Sequence, residues 1–66
     1  MNIATKSRIT YEAHRHTILA AQYTAEAAYE LAMCDYKEAV LLMLDAVRCI
    51  TVAGNCFRIL TEERDQ

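Results

Sequence analysis

The sequence predicts an all-α chain, an antiparallel two-helix hairpin spanning about residues 8–33 and 36–62 that dimerises into a four-helix bundle. Three observations lead there. The 66 residues contain no proline and a single glycine, so little in the chain breaks a helix. Ala39, Met43, Ala46, Ile50, Ala53, Phe57 and Leu60 follow an unbroken heptad stepping of four and three, with small and large side chains alternating as helix-on-helix layers require. The one interruption, at Cys34, Asp35 and Tyr36, carries a helix-start signal in Asp35 and Glu38.

In chain order, residues 1–6 show no strong pattern and read as a loose N-terminal arm. The first helix is expected to start between Ser7 and Thr10, either of which offers a capping hydroxyl, with Glu12 matching the helix dipole. From there to Met33, seven-residue spacing holds Thr10, Thr17 and Thr24 on one stripe and Ala13, Ala20 and Ala27 on another. Glu12, Arg15, His16, Gln22, Glu26 and Glu30 form the polar stripe. Opposite it the residues are Ala, Thr or a scattered large apolar group, Ile9, Ile18 and Leu31, so neighbours are expected to grip this helix over a wide arc.

Asp35 and Glu38 read as a capping box that starts the second helix, although no Gly or Asn supplies the left-handed residue that commonly closes the preceding one. A single rod through this point would place Asp35 in the seam and a stutter at Met43, so the hairpin is preferred. The second helix is read from Tyr36 to about Glu62, with a frayed tail at 63–66. Gly54 either kinks it, ends it with Asn55 capping a short third helix, or marks a close backbone approach within a continuous helix. Continuity is preferred, because Ala53, Phe57 and Leu60 keep the seam in phase. Leu41, Leu44, Val52 and Ile59 make a second apolar set on the otherwise polar side. One core does not bury both sets.

One domain, 1–66, is the most this length allows, and so short a chain rarely gathers a sufficient core without help. A second subunit is the expected help, with Ala39, Met43, Ala46, Ile50, Ala53, Phe57 and Leu60 as the self-association core and Leu41, Leu44, Val52 and Ile59 as the candidate partner face. The longest apolar run, Ala39–Leu44, falls short of a membrane span. Glu12, His14, Arg15 and His16 interrupt what a secretory leader would keep apolar, so a cytoplasmic location without membrane contact is expected. Three cysteines without C-x-x-C spacing fit free thiols in a reducing compartment.

Nothing here points to an enzyme, a cofactor or a metal. There is no Ser–His–Asp set and no Gly-rich phosphate loop. His14 and His16 lie on different faces of one helix; pairing of His14 with Cys56 across the hairpin would still supply only two ligands. His14 is expected to be partly buried and His16 solvated. The formal charge of −2 argues against broad nucleic-acid affinity, yet Lys6, Arg8, Arg15 and Arg58 gather at the open end of the hairpin as candidate polyanion contacts.

Residues 23–47, with "DYKEAVLLMLDAV" following Tyr23 and Ala27 and placing Tyr36, Ala39 and Ala46, resemble a single tetratricopeptide-type helix-turn-helix unit. That resemblance implies a hairpin of antiparallel helices. The layered small and large seam residues also resemble the repressor-of-primer type of bundle, which implies RNA held on a helix surface. The function expected is that of a small non-enzymatic helical module, an adaptor, inhibitor or regulator of another protein acting as a homo-oligomer. The alternative is a small RNA- or DNA-binding regulator using the basic pole.

Overall fold

Helix α1 runs Ile3–Ala32 and helix α2 runs Tyr36–Arg64 in the computed structural model, which describes residues 1–64. Folded back on each other, they make an antiparallel hairpin with extents of 48 × 16 × 12 Å. No strand occurs among the described residues.

α1 begins before the expected start at residue 8. The Asn2 side chain accepts the Thr5 N–H at 2.8 Å and the Asn2 carbonyl accepts the Lys6 N–H at 3.0 Å, so the cap lies one residue from the N-terminus and most of the expected arm is helical. The expected frayed tail is also partly helix, since α2 continues to Arg64; residues 65–66 lie outside the described residues.

Between the helices three residues do the work of two caps. The Cys34 N–H donates to the Leu31 carbonyl at 3.0 Å and the Asp35 N–H to the Glu30 carbonyl at 2.9 Å, the paired closure of a Schellman motif. That closure needs a left-handed residue, and Cys34 supplies it with φ 62° at a cost of about 1–2 kcal/mol for a side chain in that region. Asp35 then opens α2 by accepting the Glu38 N–H at 3.2 Å. Only half of the expected capping box forms, because Glu30 has already taken the Asp35 N–H that the Glu38 carboxylate would need.

Every buried residue among those described is an alanine: Ala13, Ala20 and Ala27 from α1, Ala39, Ala46 and Ala53 from α2. One alanine per heptad on each helix lets the two backbones approach closely. On either side of this line the flanks differ. At the back, Ile9, His16, Tyr23 and Glu30 of α1 meet Leu42, Cys49 and Cys56 of α2, and all seven are half-buried. At the front, α1 offers Thr17, Ala21, Thr24 and Ala28, too small to cover what α2 presents.

The seam read in the sequence therefore divides. Its alanines, with half-buried Leu60, face α1, whereas Met43, Ile50 and Phe57 stand on the front flank and remain 45%, 58% and 53% exposed. Alanine belongs equally to a seam completed by Leu42, Cys49 and Cys56, and the large back-flank residues of α1 cover that one. Gly54 does not end α2, which passes through it without a break, and the close backbone approach expected there is not made within the chain, since a Cβ at that position meets nothing within 4 Å.

Candidate functional site

The front flank is a continuous apolar groove along the hairpin. Two adjoining hollows make it, joined at Thr24 and Ala28. Its floor is the small stripe of α1, from Thr17 through Ala21, Thr24 and Ala28 to Leu31; its wall is the large stripe of α2, Tyr36, Val40, Met43, Val47, Ile50 and Phe57, notched at Gly54. The wall keeps heptad stepping from end to end, so one face of α2 carries it.

Two threonines lie in this floor without making it polar. Thr17 Oγ1 donates to the Ala13 carbonyl at 2.7 Å and Thr24 Oγ1 to the Ala20 carbonyl at 2.8 Å. With the hydroxyls turned onto their own helix, the groove is left with methyl groups. No carboxylate, imidazole, amine or thiol lines either hollow. Such a surface suits apolar side chains, with the Tyr36 phenol at the turn end of the wall.

The back of the hairpin is different in kind. Glu26, Glu30 and Glu38 collect there beside Tyr29 and Leu42. His16 is held on its own helix, its Nδ1 2.8 Å from the Glu12 carbonyl oxygen and 3.4 Å from Glu12 Oε2. The histidine expectation is thus reversed: His16 is half-buried and His14 exposed, because His16 belongs to the covered flank of α1 and His14 to the uncovered one. No group of three or more His, Cys, Asp or Glu side chains converges as a metal set among the described residues. Cys34 is exposed, Cys49 and Cys56 are half-buried, and all three are free.

The remaining sequence-derived residues distribute as follows. Leu44 borders the groove, while Leu41, Val52 and Ile59 line neither of its hollows; all four are exposed and share one face of α2. Of the basic residues, Arg15 lies 3.9 Å from Glu12 and Arg58 lies 3.7 Å from Glu62, each on its own helix. Lys6 sits beside Phe57 and Leu60 at the open end, and Arg8 is exposed. Sequence reading missed Tyr36 and Leu31 as groove residues, although the stepping from Tyr36 through Val40 to Met43 was available to find the first.

Among the described residues one helical segment, Tyr36–Glu62, is long and apolar enough to cross a membrane by length and composition, with mean hydropathy 1.6 over an 18-residue window. Asp45 and Arg48, 3.2 Å apart on that segment, would each cost about 3 kcal/mol at the centre of a bilayer. No family model, curated protein or solved structure matches the chain.

Proposed function

We propose that this chain is a small non-enzymatic helical module, cytoplasmic in location, that works as a homo-oligomer and serves as an adaptor, inhibitor or regulator of another protein. One observation carries the reading. The hairpin buries only alanines and leaves six large apolar side chains of α2 along an open groove, a surface that water does not favour and that an oligomer or a protein partner covers. Doubling the hairpin converts that groove into the interior of a four-helix bundle. The acidic back stays outside and supplies the polar surface for contacts with other proteins.

Size-exclusion chromatography with light scattering at micromolar concentration tests the assembly. A mass at least twice the 7.5 kDa of one chain is expected, and a folded monomer under those conditions removes the homo-oligomer from the reading.

A further inference from the structure

The groove's shape specifies how two copies meet. Resting on the homo-oligomeric reading above, we propose that a second copy of this chain occupies the groove with its turn at the same end, so that the α2 wall of each hairpin lies in the α1 floor of the other.

Surface area argues for a second copy. The hairpin exposes 5089 Å², whereas a folded monomer of 7.5 kDa exposes about 4,250 Å². The excess of roughly 800 Å² is what one partner buries in an interface of standard size.

Orientation follows from the contrast between wall and floor. Two hairpins packed face to face are related by a twofold axis that runs either along the helices or across them. An axis across the helices sets wall on wall and floor on floor, so the layers splay on one side and crowd on the other. An axis along the helices sets each wall over the other copy's floor, antiparallel and at the same height, with large groups over small ones throughout.

Gly54 gives an independent sign of the same partner. A Cβ placed there meets nothing within 4 Å in the hairpin, so nothing in the single chain requires glycine at a helix-interior position where Ala is the better helix former. Ala27 lies beside Ala39 and Lys6 beside Leu60, and this antiparallel register puts Gly54 level with the α1 turn between Thr10 and His14. His14 continues the stepping of the small stripe, 14, 17, 21, 24 and 28, toward that end, where it lines a hollow with Thr10 and Tyr11. In the arrangement with turns at the same end, the notch in one copy's wall receives His14 of the other.

Of the acidic residues near the turn, Asp35 lies in it and is brought toward its twin by this orientation, its carboxylate accepting the Glu38 N–H; the glutamates are not brought together. Glu26, Glu30 and Glu38 near the turn lie at the back, beside Leu42 and away from the groove, so bringing the turns to one end does not set these carboxylates against each other across the interface.

The test uses the native Cys34, which is exposed in the turn. Wild-type protein at a concentration where sedimentation shows a dimer is treated with a short-spacer bismaleimide, and the linked peptides are mapped. Links between Cys34 of the two copies are expected; a dimer without them has its turns at opposite ends of a hairpin 48 Å long and overturns the orientation while leaving the homo-oligomer intact. A monomer by sedimentation overturns both. Gly54→Ala supplies a second readout: dimer dissociation is expected to rise at least tenfold, whereas unchanged or tighter association would show that the notch is empty and contradict the fit with His14.

Discussion

The two flanks of the interhelical line were built from the same alanine register and reach opposite outcomes. At the back, large residues on α1 cover modest ones on α2, leaving Leu42, Cys49 and Cys56 half-buried. At the front, small residues on α1 face large ones on α2, leaving Met43, Ile50 and Phe57 exposed. Alanine brings two helices together, but each buried methyl contributes only about 0.8 kcal/mol. The side chains able to contribute about 1.5–3 kcal/mol apiece lie where one chain cannot cover them. The difference teaches that one chain partly covers the back flank and leaves the large side chains of the front flank uncovered.

The comparison is broken most forcefully by charging the front. Ile50→Glu with Phe57→Glu is expected to weaken self-association more than a hundredfold, a loss of about 3 kcal/mol or more, read by sedimentation equilibrium. Leu41→Glu, on the exposed side away from the groove, is the matched control and is expected to change stability by less than about 0.5 kcal/mol. Equal effects from the two would deny the front any special standing.

Filling the line between the flanks comes next. Ala46 is the most deeply buried residue, at 1% exposure, and Ala46→Leu is expected to force the helices apart at a cost of about 1–3 kcal/mol. Urea unfolding monitored by circular dichroism measures it; a neutral or stabilising result would mean that the helices are not held at alanine distance.

The smallest effect sharpens the account of the turn. Cys34 carries a side chain at φ 62°, and Cys34→Gly is expected to raise stability by about 1 kcal/mol by removing that conflict. A loss in the same urea measurement would show that the thiol contributes more than its backbone conformation costs.

Much of this was readable from residue order, and the failures have physical causes. Asp35 and the heptads of alanine announced the hairpin because caps and spacing are local properties. The start of α1 escaped because Asn2 stands so near the N-terminus that its cap precedes any periodic pattern. Cys34 escaped because a left-handed residue is expected to be Gly or Asn, whereas here the Schellman hydrogen bonds hold a cysteine in that region. The fate of Met43, Ile50 and Phe57 was not legible from α2 alone. Their exposure depends on what α1 sets opposite them, and the same holds for the reversed roles of His14 and His16.

The central claim is that this hairpin becomes dry inside only with a second copy. Thermal unfolding of the wild-type chain, followed by helix signal over a hundredfold range of protein concentration, tests it most directly. Folding coupled to association predicts a midpoint that climbs steadily with concentration; a midpoint that stays fixed across the series, with full helicity at the lowest concentration, would contradict the account.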